Sequence, residues 1–362
     1  MTSRLIVNSI RHTGASTDSI SLSSDGNTTF NATGSMVLPS GTTAQRPGSP
    51  SEGMYRYNTT IKANELYNGN AWVTIGQETV DVHYLVIGGG GSGGGDWRGG
   101  GGGAGAFRSS YGTQGGGTAQ ADQLSLAKYV THSVIIGAGG AGVAGQKGND
   151  GTSSTFSSIV SKGGGTGGKY AVSGTSADDG NPSADPGGGS GGGGGGGNQT
   201  GQGGASGTYG YNGGNGAGST PQCGGGGGGA AAAGVVGGSG GTNGDGGAAL
   251  ASTITGSSVD YAGGGGGGNY ESGNVTIGGG AGAGASNQDA SIANRGSGGG
   301  GRSGDHSGAG GDGSSGVVII RLASSVTATF SSGVTQTTAT VGSDKVYTIT
   351  ATSSSSETVT FS

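Results

Sequence analysis

Cysteine is nearly missing. Cys223 stands alone among 362 residues, which excludes an intrachain disulfide framework and a cysteine-based zinc cluster. Proline is scarce too, at six residues, so the abundant glycine cannot belong to a collagen triple helix, which needs a strict Gly-X-Y period and frequent proline. Apolar residues make up 29% and aromatics 5%, low for a conventional globular core. Stability therefore has to draw on backbone hydrogen bonding and on contacts between chains. Only 10% of residues are charged and the formal net charge is −5, which leaves no basic patch to attract nucleic acid. No apolar run reaches the length needed to span a bilayer, and the start Met1-Thr2-Ser3-Arg4 opens no signal-peptide core. Membrane insertion is not expected.

Glycine is what the chain has instead. Of 98 glycines, 88 lie between the strand-like Val82–Ile87 and Val317–Leu322. They come in separated runs, among them Gly88–Gly91, Gly99–Gly103, Gly191–Gly197, Gly224–Gly229, Gly263–Gly268 and Gly298–Gly301, alternating with ordinary loop-like segments. A flexible linker has no need of that alternation. A bundle of extended, left-handed helices with three residues per turn does: without Cβ atoms the helices lie backbone to backbone, and the N–H and C=O groups that cannot pair within such a helix pair with its neighbours. Ordering a residue costs about 1–2 kcal/mol of backbone entropy, and an internal hydrogen bond returns about 0.5–1.5 kcal/mol net. The bundle thus needs an apolar frame, which β-branched stretches at Tyr84–Ile87, Val130–Ile136 and Val317–Ile320 can supply.

Four regions follow. Residues 1–34 carry short β segments, Leu5–Ile10 and Thr17–Leu22 followed by an Asp25-Gly26-Asn27 turn, with too little apolar surface to close a core in one chain. They read as an attachment and assembly segment. Residues 35–80 form a β module in which Asn68-Gly69 marks a hairpin. Residues 81–322 are the glycine-rich domain. Residues 323–362 return to strand chemistry, with Val326, Ala328 and Phe330 on one face and Tyr347, Ile349 and Ala351 on another. The expected fold is mostly β and irregular, with polyglycine helices at its centre and almost no α-helix.

The series Leu38–Pro47, Arg56-Tyr57-Asn58-Thr59 and Tyr67-Asn68-Gly69-Asn70-Ala71-Trp72-Val73, followed by Tyr84–Gly91, Gly102–Arg108, Val134–Gly142 and Gly316–Arg321, resembles the glycine-rich fibre proteins of tailed bacteriophages, cyanophage fibres in particular. In the related tail-fibre tip adhesins, polyglycine helices are sandwiched together and their connecting loops choose the host receptor. This chain differs in carrying its own N-terminal fibre-like segment. The resemblance implies a virion-exterior protein, a homotrimer joined to other tail or fibre proteins through residues 1–80, that contacts a host cell-surface glycan or protein.

Chemistry is hard to find. Gly163–Lys169 has the spacing of a phosphate-binding loop, but Tyr170 stands where Ser or Thr should hold Mg²⁺. Asp150, Asp245 and Asp312 read as turn carboxylates rather than metal ligands, and no cofactor is expected. His12, His83, His132 and His306 are scattered, and Asp305-His306 with Asp312 is the nearest approach to an acid–base cluster. Loop composition is more informative. Lys169–Pro186, Asn198–Cys223, Thr253–Ala262 and Asn269–Ile277 carry Tyr170, Tyr209, Tyr211, Tyr261 and Tyr270 among Ser, Gly, Asn and Asp, a mixture suited to binding surfaces. With Trp97 these are the candidate receptor contacts, the alternative being that the tyrosines seal the edges of the bundle. Deleting Asn198–Cys223 is expected to reduce cell binding without unfolding. The expectation is a non-enzymatic virion fibre or adhesin. A purely structural head or tail decoration or spacer, and a surface-polysaccharide depolymerase, stay open as alternatives.

Overall fold

The computed structural model describes residues 9–10, 20–22, 28–30, 35–170, 188–197, 200–218, 222–238, 244–269, 277–304 and 308–362. The chain divides into two compact units, Met1–Gln77 and Glu78–Ser362.

The first unit holds two sheets. Strands β1 (Ser9–Ile10), β2 (Ile20–Leu22) and β3 (Thr28–Phe30) pair antiparallel in sequence order. In the second sheet β4 (Ser40–Gly41) runs parallel to β5 (Tyr55–Asn58), and β6 (Ala63–Tyr67) and β7 (Trp72–Ile75) follow as an antiparallel meander. The β6–β7 turn is the expected one: Gly69 has a left-handed φ of 91°, and the Asn68 side chain accepts the Asn70 and Ala71 amides at 3.0 and 2.9 Å. Apart from Ala63, what this sheet buries is polar. Arg56, Asn58 and Glu65 are 6%, 0% and 0% exposed, whereas Val73 and Ile75 are 43% and 44% exposed.

The second unit is a β-sandwich with a glycine lattice growing from it. Its larger sheet contains β8 (Thr79–Ile87), β9 (Phe107–Ser109), β10 (Leu124–Ala127), then β16 (Val317–Ala323), β18 (Val334–Val341) and β19 (Asp344–Thr352). The order is β10-β8-β16-β19-β18, with β9 also on β8. The other sheet, in the order β13-β12-β11-β20-β17, uses β11 (Thr131–Ile135), β12 (Ser154–Phe156), β13 (Ile159–Ser161), β17 (Ala328–Phe330) and β20 (Thr358–Phe361). A hairpin of β14 (Leu250–Ser252) and β15 (Val259–Tyr261) completes the unit. Residues 323–362 are therefore built into both sheets rather than appended to them.

Strand alternation explains the two cores. Val80, Val82, Tyr84 and Val86 point from β8 into one apolar cluster with Phe156, Val318, Ile320, Tyr347, Ile349, Val359 and Phe361. Leu85 and Ile87, on the opposite face, join Phe107, Ile254, Tyr261, Val317 and Ile319. The three stretches expected to frame the bundle are β8, β11 and β16, and β8 pairs with β16 from Ile87↔Val317 to His83↔Arg321.

Beyond Ile87 the chain leaves the sheet as a glycine helix. Gly88, Gly91 and Gly94 donate to the carbonyls of Ala106, Gly103 and Gly100 at 3.2, 2.8 and 2.8 Å. Gly89, Ser92 and Gly95 donate to Thr152, Asn149 and Gln146, while Gly90, Gly93 and Asp96 donate to Ser314, Gly311 and Gly308. Each third residue returns to the same neighbour, as it must in an extended helix of three residues per turn. The falling partner numbers make all three neighbours antiparallel. The 99–106 helix sits deeper still. It donates to segments around 162–168, 225–228 and 296–302 and accepts from those around 88–94, 190–196 and 265–268. With six helices around one, most of its positions have no room for a Cβ atom: a methyl group on Gly101 would overlap the Gly265 carbonyl.

Direction fixes what lies where. Helices leave or enter β8, β9, β11, β12, β13 and β16 at their sandwich ends, so residues such as 96–98 and 304 belong to the opposite, far end. Nine residues, 88–96, at about 3.1 Å each put that end about 28 Å from the sandwich.

Candidate functional site

The far-end turn 96–98 is one of several places in the glycine-rich unit where residues with a Cβ take left-handed backbone, as Ala262, Ala281, Asn287 and Asn294 also do. Asp96 and Arg98 adopt left-handed φ of 68° and 55°, a conformation costing a residue with a Cβ about 1 kcal/mol or more and glycine almost nothing. In a chain this rich in glycine, side chains have been kept where glycine would be least strained.

Those side chains form a cluster. The half-buried Trp97 donates its indole Nε1–H to the Gly304 carbonyl at 2.7 Å. Its ring meets Tyr170 edge to face, with centroids 5.8 Å apart. The Arg98 guanidinium carbon lies 4.5 Å from the Trp97 centroid and 5.1 Å from that of Tyr170, and Arg98 is only 4% exposed. A cation held between two aromatic rings fixes both of them. The result is a rigid aromatic ledge at the tip of the bundle, with large contact area and little entropy left to lose.

The other candidates lie elsewhere. Gly201–Gly207 and 210–217 are themselves lattice helices, with Gly204 donating to Gly192 and Gly214 to Gly226 at 2.7 and 2.8 Å. The segment Asn198–Cys223 is therefore not a removable loop, and the expectation that its deletion leaves the fold intact is corrected. The turn between these helices brings Tyr209 and Tyr211 back to the sandwich end, where Phe107 donates to the Tyr209 carbonyl and the Arg108 guanidinium covers the Tyr209 ring at 4.7 Å. Tyr261 is 3% exposed; Phe107 meets its ring edge and Arg295 stands 4.6 Å above it. Burial pushes the Tyr261 hydroxyl above its ordinary pKa, with Arg295 opposing. Tyr261 is a core residue with no face left for a receptor. Its segment, Thr253–Ala262, was expected to be a binding loop, but it turns Ile254 and Tyr261 into the apolar core because it belongs to the β14–β15 hairpin under the sheet. Tyr270 and most of Lys169–Pro186 and Asn269–Ile277 lie outside the described residues, as do His12, Asp305 and His306.

Sequence reasoning missed the arginines. Tyr170, Tyr209 and Tyr261 each have a guanidinium over the ring, from Arg98, Arg108 and Arg295. Only the adjacency Trp97-Arg98 was a readable hint, since the other pairs are remote in sequence.

The suspected catalytic features resolve into lattice chemistry. In the Gly163–Lys169 stretch the amides of Gly164, Gly165, Gly167 and Gly168 donate to Gly89, Ser190, Ser92 and Gly193, so they are not available to cradle a phosphate. Asp150, Asp245 and Asp312 accept the Thr166, Ile277 and Gly142 amides at 2.8, 2.8 and 2.6 Å, the structural role expected of them. His83 meets the Ser110 carbonyl at 3.1 Å and His132 the Ala127 carbonyl at 2.9 Å. Cys223 is a buried free thiol.

A family model described as a glycine-rich domain matches residues 65–323. The chain belongs to this glycine-rich domain family. The glycine-rich domain, as matched, opens within β6 and ends with β16, so it contains the whole lattice but leaves out the last four strands of the sandwich. Neither the curated proteins nor the solved structures contain a match to the chain.

Proposed function

We propose that this glycine-rich protein is a non-enzymatic fibre or adhesin on the exterior of a tailed-phage virion. Residues 1–80 join it to other tail or fibre proteins and assemble it as a homotrimer, and the far end of the glycine lattice recognises a host cell-surface glycan or protein. One observation carries the reading: at the tip of the lattice the turn 96–98 holds Trp97 and Arg98 against Tyr170, and the Trp97 and Tyr170 side chains there are only partly buried. A lattice stiffened by backbone bonds, with contacts confined to its turns, divides labour as scaffold-and-loop binders do. The exposed apolar residues Val73 and Ile75 of the N-terminal unit are consistent with burial between chains.

The test is adsorption competition. Purified full-length protein is added in increasing amounts to host cells and the rate of particle attachment is followed. A saturable fall in that rate is expected. Folded, assembled protein that leaves attachment unchanged would instead favour a structural spacer.

A further inference from the structure

The N-terminal unit contains a cavity of about 330 Å³ whose walls include Pro39, Pro47, Met54, Tyr55, Arg56 and Trp72. The walls are mainly apolar and aromatic, with Ser40 and Gln45 as polar members and Arg56 as the one charge. Arg56 is 6% exposed, and among the described residues its side chain makes one hydrogen bond, from Nη2 to the Thr42 carbonyl at 3.1 Å. Nη1 is buried with no acceptor among the described residues. The guanidinium carbon lies 5.9 Å from the Trp72 ring centroid.

The obvious counter-charge is already occupied. Glu65 faces Arg56 across the β5–β6 ladder, but its carboxylate is taken by Arg46 on both oxygens and by the Asn58 amide at 2.9 Å. Two arginines thus share one carboxylate, and the surplus positive charge sits on Arg56, at the cavity wall. A buried guanidinium edge without an acceptor is costly, and charge-assisted bonds to a carboxylate are among the strongest available to it. Packing also keeps the group in place: a methyl group on Gly41 would crowd Arg56 Nη2 at 2.8 Å.

We propose that this cavity binds a compact carboxylate carried on a flat apolar ring, with Arg56 as the anion-binding group and Trp72, Tyr55 and the two prolines enclosing the ring. The carboxylate approaches the guanidinium from the cavity, which Arg56 lines. Free aromatic acids and the C-terminal aromatic residue of a partner chain carry the same chemistry. The site is in a different unit from the proposed receptor contact and is tested without cells, so either can fail alone.

The experiment is calorimetric titration of the full-length chain with phenylacetate, with N-acetyl-alanyl-phenylalanine, and with the amides of both. Saturable binding of at least one acid is expected, with its amide about tenfold weaker or more. Binding of phenylacetate alone assigns a small-molecule ligand; binding of the peptide acid alone assigns a chain end. Ser40→Phe, which fills the cavity from an exposed wall position and leaves Arg56 untouched, is expected to abolish binding, and Arg56→Gln to weaken it about tenfold or more. Equal binding of acid and amide, no binding of either acid, a response to glucuronate in place of the aromatic acids, or unaltered binding by Ser40→Phe would each overturn the proposal.

Discussion

The hydroxyls of Ser92 and Thr166 meet at 3.1 Å inside the glycine lattice, where both residues are almost fully buried. The Ser92 hydroxyl also has the Asn149 carbonyl at 3.1 Å and the Thr166 hydroxyl the Ser92 carbonyl at 3.1 Å, so the one proton of each hydroxyl has two acceptors within reach. These are among the few lattice positions with side chains, and the lattice makes room for them by glycine opposite: a methyl group on Gly148 would overlap the Ser92 hydroxyl. Thr166→Val keeps the shape and removes the hydroxyl from a buried polar pair. A loss of about 1–2 kcal/mol is expected, measured as a lower denaturation midpoint with an unchanged denaturant slope.

Gly101→Ala tests the lattice itself. The added methyl meets the Gly265 carbonyl and the Gly227 amide, which are backbone atoms with no rotamer to yield. Moving one helix disturbs its neighbours, so the loss should reach about 3 kcal/mol or more. Gly48→Ala is the control, because nothing lies within 4 Å of its added methyl. Thermal melts of the two variants should separate by several degrees, and equal melts would mean the helices are not packed backbone to backbone.

Much of this was legible in the sequence because glycine runs at strand-like spacing have few ordered solutions, and because β-branched stretches such as Val317–Ile320 declare a frame. The neighbours of each helix were not legible. Glycine has no side chain with which to specify a partner, so the contact of Gly102 with Gly299 leaves no trace in either run. The C-terminal strands hid for a different reason: Thr131↔Thr360 is a non-local pairing, and alternation reports only that a strand has two faces. Among the site candidates, composition identified tyrosines in glycine-rich loops but could not tell Tyr170 at the tip from Tyr261 in the core. That distinction depends on which turn each helix reaches.

The N-terminal module should be acid-sensitive. Burial pushes the Glu65 carboxyl up, but hydrogen bonds from Arg46 and Asn58 and the charges of both arginines outweigh it and hold the group below the usual carboxylate range. A depressed folded-state pKa contributes stability that is complete above the unfolded value of about 4.3 and is lost as pH falls through the folded one. Melting of this unit should therefore be flat from about pH 7 to 5 and fall below about pH 4. Glu65→Gln should flatten the acid limb and cost about 2 kcal/mol at neutral pH, a figure reduced from that of a fully buried pair because Arg46 is partly exposed.

Trp97 and Tyr261 separate contact from core. Both are aromatic, both have an arginine over or beside the ring, and both were candidates on composition. Trp97→Ala removes the hydrogen bond to Gly304, the edge contact with Tyr170 and the ring that faces the Arg98 guanidinium, a loss of about 2–3 kcal/mol that lowers the melting temperature by a few degrees. Tyr261→Ala empties a site 3% exposed between Phe107 and Arg295 and should cost about 3–5 kcal/mol. In adsorption competition the order reverses once folded protein is compared with folded protein: Trp97→Ala should need about tenfold more protein to slow attachment, while the folded fraction of Tyr261→Ala competes like wild type. If Trp97→Ala competes as well as wild type, the tip cluster is not the contact.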